Sequence, residues 1–379
     1  MTFSTKSLAL ALGLLLASAP VLAKPRARDL GVPFDGTPGP LNAITDVAGV
    51  EVGHTTLIRG DGPLVVGQGP VRTGVTVVFP RGKSDPAPVF AGWFSLNGNG
   101  EMTGTAWIEE SGVLDGPVGL TNTHSVGTVR DAIIRWQVQR GRAAGPVWWS
   151  LPVVAETWDG WLNDINGFHV TPQHVFEALD SAAGGPVAEG SVGGGTGMIC
   201  HEFKGGIGTA SRRARGHSVG VLVQANYGLR HQLRVAGAPV GREITEGTIR
   251  PRETGSIIII VATDAPLLPH QLKRVARRAS LGLARNGSVS GDGSGDLFLA
   301  FSTANAVPQR PGAPGTVALL APDDLDPLFE ATVQATEEAI INALVAAETM
   351  TGRDGHRVVG LPHERLREIL TSYNRLSRP

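Results

Sequence analysis

Three stretches bring together residue types that do chemistry. The first is Gly255-Ser256 followed by Ile257-Ile258-Ile259-Ile260-Val261-Ala262-Thr263-Asp264. A serine that opens an apolar run reads in two ways. It ends a loop, as serines commonly do. Alternatively the Gly255–Ser256 bond is cut, and Ser256 carries both a hydroxyl and a free amine that serves as general base for its own side chain. The second stretch is Leu151-Pro152-Val153-Val154-Ala155-Glu156-Thr157-Trp158-Asp159-Gly160. There a short apolar strand delivers Glu156 and Trp158 into a polar loop, where binding groups often sit. The bland alternative is a solvated loop carboxylate. The third, Gly216-His217-Ser218-Val219-Gly220, matches the G-x-S-x-G nucleophile elbow as a string. An elbow must follow a strand and open a helix. Here a polar, basic segment precedes Ser218 and a strand pattern follows it, so the context is reversed.

Other motifs carry less. No histidine falls in an H-E-x-x-H arrangement: His201-Glu202 and His363-Glu364 both lack the second histidine, so a zinc hydrolase is unsupported. Gly193-Gly194-Gly195-Thr196-Gly197 lacks the lysine of a phosphate loop and reads as a tight turn. Cys200 is the single cysteine, which excludes an intramolecular disulfide and a cysteine metal cluster; it reads as a small buried hydrophobe.

The elements that must hold these residues follow from periodicity. Ser256–Asp264 is β-branched, apolar on both faces and too short for an ordinary helix, which predicts a buried strand. Further strands are expected within Ile44–Thr56, Gly74–Pro80, Ala91–Phe94, Ser218–Ala225, Leu297–Ser302 and Val317–Leu320. Helices are expected over Thr123–Gln139, from Thr171-Pro172 through Ala183, over Pro269–Arg285 and within Leu325–Met350. In Pro269–Arg285 the buried stripe is Leu272, Val275, Ala276, Ala279 and Leu283; Lys273, Arg274, Arg277 and Arg278 form a wet face. Asn97-Gly98-Asn99-Gly100-Glu101 and Ser290–Asp296 read as polar turns, and Arg230–Glu253 as an exposed linker.

At 379 residues and 41% hydrophobic, with 51 glycines, the chain is globular, rich in turns and able to bury a large core. A formal net charge of −1 offers no footprint for nucleic acid or an anionic membrane. Met1–Ala23 has a basic start at Lys6, an apolar stretch Leu8–Ala17 and a small-residue end, Val21-Leu22-Ala23; it reads as a secretory signal. That predicts a periplasmic or secreted mature protein starting near Lys24, with no membrane association once the signal is removed.

Several strings taken together carry a resemblance. They are Ile44–Thr56, Leu151–Val170 (with Asn163-Asp164-Ile165-Asn166-Gly167-Phe168), Thr254–Arg285 (with Ala262-Thr263-Asp264-Ala265-Pro266-Leu267), and Ser294-Gly295-Asp296 leading into Phe298–Ser302. With them the chain resembles the L-aminopeptidase/D-esterase and β-aminopeptidase family of self-processing serine hydrolases, over nearly its whole mature length. The resemblance implies an α/β fold, a four-layer α/β/β/α sandwich of the N-terminal nucleophile hydrolase type. It implies cleavage at Gly255–Ser256 into a larger chain (24–255) and a smaller one (256–379) that stay together as one catalytic domain. By position Ser256 matches the nucleophile, Ser294 a serine that orients it, Asp296 the acidic partner, and Asn226 an amide donor to the oxyanion. Glu156 matches the carboxylate that holds a substrate ammonium group, and Trp158 stands near a position where some relatives have tyrosine. No metal or organic cofactor is implied. The expected substrates are short peptides, amino-acid amides or esters, and the expected assembly is a homo-oligomer of two-chain units. Two rivals stay open at this point: a conventional esterase using Ser218, and a non-catalytic extracytoplasmic binding protein on the same fold.

Overall fold

A computed structural model describes residues 24–142, 147–249, 255–307 and 315–377. The signal-like segment Met1–Ala23 lies outside the described residues, as do residues 250–254 just before Gly255. Ser256–Thr263 is a strand with every residue buried, and its alternation explains the isoleucine run. Ile257, Ile259 and Val261 join one apolar core and Ile258, Ile260 and Ala262 another. Successive strand side chains point to opposite faces, so a strand buried on both needs apolar residues at every position.

That strand, β11, lies inside a six-stranded sheet. Its companions are β3 (Val89–Gly98), β4 (Val113–Leu114), β9 (Gly206–Ala214), β10 (His217–Asn226) and β12 (Gly295–Ser302), in the order β4-β3-β12-β11-β10-β9. β11 runs antiparallel to β10 and parallel to β12. A second sheet has the order β1-β2-β5-β6, from β1 (Glu51–Arg59), β2 (Val71–Phe79), β5 (Val118–Asn122) and β6 (Val153–Thr157). The sheets meet face to face: Val78, Val118, Leu120, Val153 and Ala155 of the smaller one share a core with Ile258, Ile260, Leu299 and Phe301 of the larger. Short strand pairs, β7 (Ile199–Cys200) with β8 (Phe203–Lys204) and β13 (Met350–Thr351) with β14 (Arg357–Val358), lie outside both.

Helices close both outer faces. α5 (Pro269–Arg285) and α6 (Asp326–Ala346) cover the larger sheet. α2 (Val126–Gln139) and α3 (Pro172–Ser181) cover the smaller, through Val129, Ile133, Trp136, Val175 and Leu179. Shorter helices are α1 (Thr105–Ser111), α4 (Val240–Glu243) and α7 (His363–Ser372). The result is the expected α/β/β/α sandwich. α5 has the bounds the sequence predicts, and all five residues of its stripe are buried.

Several expectations are corrected. Ile44–Asp46 is a 3-10 turn and the strand begins only at Glu51, because Gly49, at φ +88°, turns the chain first. Val317–Leu320 is not a strand; it lies where no sheet edge pairs with it. Residues 230–249 are not an exposed linker: Leu233, Val235, Ala238, Val240 and Ile244 are buried, and the Arg230 guanidinium donates to the carbonyls of His201, Glu202, Ile244 and Glu246. The wet face of α5 is partly covered, with Arg274 and Arg278 over Phe329 and Arg277 over Phe94. Gly295 and Asp296 are strand residues, not the end of a polar turn.

Candidate active site

Ser256 is buried as the first residue of β11, directly opposite Asn226, the last of β10. Gly255 before it sits against the same strand end. A Cβ there would lie 2.0 Å from the Asn226 carbonyl oxygen and 2.7 Å from Tyr227 Cα, so only glycine fits. On the other side β12 begins beside Ser256, and the Gly295 N–H donates to Ser256 Oγ at 3.0 Å. This bond places Ser294, the residue before, at the serine. Ser294 Oγ donates to Asp296 Oδ1 at 2.7 Å, and the Ser290 hydroxyl donates to the other carboxylate oxygen. The aspartate side chain is thus long enough to reach Ser294 directly. Burial pushes the Asp296 carboxyl above the usual carboxylate range, and the two serine hydroxyls oppose that shift.

Asn226 is fixed by its own amide. Its Oδ1 accepts from the Ile199 N–H at 2.8 Å and its Nδ2 donates to the Trp158 carbonyl at 3.0 Å. Among the described residues the second Nδ2 hydrogen has no acceptor. Trp158 thus touches Asn226 through its backbone, and its ring lies over Gly160, where a Cβ would meet the indole at 2.6 Å.

Glu156 sits near the end of β6, only 4% exposed, not in a solvated loop. One oxygen accepts from the Glu101 N–H at 3.0 Å, the other from the Thr123 hydroxyl. Burial raises its pKa, against the pull of the Thr123 and Glu101 hydrogen bonds. Among the described residues no lysine or arginine pairs with this carboxylate and only His124 adds a coulombic pull, so it is suited to a cation that arrives with the substrate. Ser256, Glu156, Trp158, Thr123, Asn99 and Gly293 line one cleft of about 440 Å³. A separate hollow lined by Trp107, Trp148 and Trp149 holds one acid, Asp115, and no nucleophile.

The elbow serine is elsewhere. Ser218 is eight residues before Asn226 along β10, roughly 27 Å away at ordinary strand rise. It is fully buried, with Oγ accepting from Arg213 Nη1 at 2.6 Å. His217 Nδ1 lies 3.4 Å from Asp264, but consecutive strand residues face opposite ways, so no Ser-His-Asp relay forms.

A family model for peptidase family S58 matches residues 42–358. The chain belongs to this family. It is 56% identical to the beta-peptidyl aminopeptidase BapA of Sphingosinicella microcystinivorans, over 96% of each chain. Among solved structures it is similar to the L-aminopeptidase D-Ala-esterase/amidase of Ochrobactrum anthropi (51% identity, TM-score 0.88), described as a serine aminopeptidase and a variant of the Ntn hydrolase fold. It is also similar to a Burkholderia sp. beta-aminopeptidase (52% identity, TM-score 0.85). Both matches cover 93% of this chain and all of the other. The protein is therefore a serine aminopeptidase with the N-terminal nucleophile hydrolase fold.

Thr123 was legible only as the start of a helix, and Asn99 and the Glu101 N–H only as parts of a turn. Their roles depend on contacts across the fold that no local pattern encodes.

Proposed function

We propose that the chain cuts itself between Gly255 and Ser256 and then removes N-terminal residues from short peptides, amino-acid amides or esters. In the first step Ser256 Oγ attacks the Gly255 carbonyl carbon, the C–N bond breaks, and water hydrolyses the resulting ester. Ser256 is left with a free α-amine. Such an amine has an unperturbed pKa of about 7.7–8, so near neutral pH part of it is unprotonated and accepts the Ser256 hydroxyl proton. The hydroxyl oxygen then attacks the substrate carbonyl, with Ser294 and Asp296 ordering the proton path and the Asn226 amide facing the oxyanion. The leaving amine or alcohol takes the proton, and water releases the acyl group from Ser256. Glu156 holds the substrate ammonium, which restricts attack to the terminal residue; Trp158 walls the same cleft. β-Amino-acid N-termini belong to the proposed range, on the likeness to the two β-aminopeptidases.

The observation that carries this reading is the meeting of Ser256 and Glu156 in one cleft, with Ser256 at the start of a central strand. N-terminal sequencing of the purified protein tests it. The expected result is a smaller chain beginning Ser256-Ile257-Ile258, absent from Ser256→Ala, which is also inactive on amino-acyl amides. A single intact chain that hydrolyses these substrates would overturn it. We propose in addition that Met1–Ala23 directs export to the periplasm or beyond and is removed, and that two-chain units form a homo-oligomer. A larger chain starting near Lys24 and light scattering of the purified protein check these two points.

A further inference from the structure

The end of β3, which the sequence reads as part of a turn, and the turn after it have chemistry that their glycine-rich string conceals. β3 pairs with β12, but the register shifts between Asp296 and Leu297: Leu297 faces Ser95, whereas Asp296 faces Asn97. Leu96 is the extra residue, and it is left 39% exposed. A bulge of this kind re-aims the residues beyond it. Here it sets Asn97 opposite Asp296, where regular pairing would have put Leu96.

Asn97 Nδ2 donates to the Gly291 carbonyl at 2.6 Å and to the Ser290 carbonyl at 3.3 Å. The Gly291 carbonyl also accepts from the Ser294 N–H at 2.8 Å. Asn97 therefore grips the turn that carries both hydroxyls bound to Asp296. Ser290 itself is held at φ +49°, a conformation that a non-glycine residue adopts at a cost and keeps only where its surroundings enforce it. Two residues on, Asn99 Nδ2 donates to the Gly293 carbonyl at 2.9 Å. A Cβ on Gly295 would lie 2.4 Å from the Asn99 carbonyl oxygen, and one on Gly100 would lie 3.2 Å from Gly295 Cα and 3.3 Å from Glu156 Oε1. The turn is packed tightly against the start of β12.

We propose that Asn97 is a positioning residue of the reaction: by clamping the 290–294 turn it fixes the Ser290 hydroxyl on Asp296 Oδ2, which keeps Oδ1 on Ser294. The inference rests on the reading of Ser256, Ser294 and Asp296 given above. Asn97 is not among the residues that line the cleft; it acts through Ser290. Residues that act in series lose their effect together, so a second removal adds little to the first.

The test is steady-state kinetics on an amino-acyl amide for Asn97→Ala, Ser290→Ala and the double variant, with rates referred to the fraction of chains beginning at Ser256. Ser256→Ala is the control, and thermal melting monitors folding. The expected result is a fall of about tenfold in kcat for each single variant with KM within about twofold, and a double variant no slower than the slower single. Unchanged kcat, losses that multiply in the double variant, a loss expressed in KM, or failure to process at all would each overturn the proposal. Should Asn97→Ala not fold, Asn97→Asp, which turns an acceptor toward the same carbonyls, carries the same expectation. An active Ser256→Ala would instead bring down the nucleophile reading, whereas an inactive Ser256→Ala beside a fully active Asn97→Ala would bring down this inference alone.

Discussion

Glu156 and Asp159 are neighbours on the chain, and both are carboxyls raised by burial, yet their partners give them different consequences. Glu156 borders the cleft and is held by one N–H and one hydroxyl. Glu156→Gln keeps the shape and removes the charge, so KM for substrates with a free amine should rise at least about tenfold while kcat changes little. Because burial raises its pKa, the carboxylate is protonated more readily than a free glutamate, so the wild-type KM should also climb as pH falls, and Glu156→Gln should lack this acid limb; KM measured across pH checks both. Asp159 is fully buried among Asn122, Asn163 and Thr73, which donate to it, and burial pushes its pKa to about 6. The folded chain therefore binds this proton more tightly than the unfolded chain does. The stability associated with the protonated form is present below about pH 4, where an unfolded aspartate titrates, and is lost as pH rises through about 6. The loss is on the order of 2–3 kcal/mol for a shift of that size. Urea unfolding at pH 4.5 and pH 7 should show this slope in the wild type and a flatter one in Asp159→Asn.

At the scale of elements, the central strand and the helix after it were legible because their patterns are local. Ile257–Val261 has no polar position, so it could only be a strand buried on both faces, and α5 repeats its apolar residues at helical spacing. Ile259→Ala should accordingly cost about 2–5 kcal/mol in denaturant unfolding, the range for emptying a packed core site. What could not be read was decided by contacts distant in sequence. Arg230 makes the 230–249 segment part of the core by satisfying carbonyls up to 29 residues away. Asn97 meets Gly291 across 194 positions, so the string around it could announce a turn but not what the turn holds. The placing of Ser256, Ser294, Asp296, Asn226 and Glu156 came through the family resemblance; periodicity by itself offered Ser256 and Ser218 side by side. The start of β11 also sets a steric condition. In Gly255→Ala the added Cβ meets the Asn226 carbonyl at 2.0 Å, and backbone on both sides must shift. Self-cleavage should slow by at least tenfold in that variant, read as persistence of the uncut chain on a denaturing gel.

For the whole molecule the decisive feature is how the two proposed chains divide the larger sheet. In the order β4-β3-β12-β11-β10-β9, the central pair β12-β11 comes from residues after the cut and the four flanking strands from residues before it. Each chain thus supplies hydrogen-bonding neighbours to the other on two seams, β11 with β10 and β12 with β3. The helices add to the interleaving: α6 packs on β9 and β10 and α5 on β3, so both helices that follow the proposed cut lie against strands that precede it. Cutting a single bond beside Ser256 removes none of these contacts, and neither chain retains a closed core without the other. The cut should therefore leave the fold cooperative. The larger and smaller chains are expected to co-elute in size-exclusion chromatography in the absence of denaturant. In a urea titration they should separate in the same transition that abolishes secondary structure and activity. A smaller chain that came away at urea concentrations preserving the helical signal would mean that the sheet is not shared in this way. The same sharing would give the proposed cut its use: the new amine would appear inside an assembled site, with no later docking step needed to bring Ser256 to Glu156.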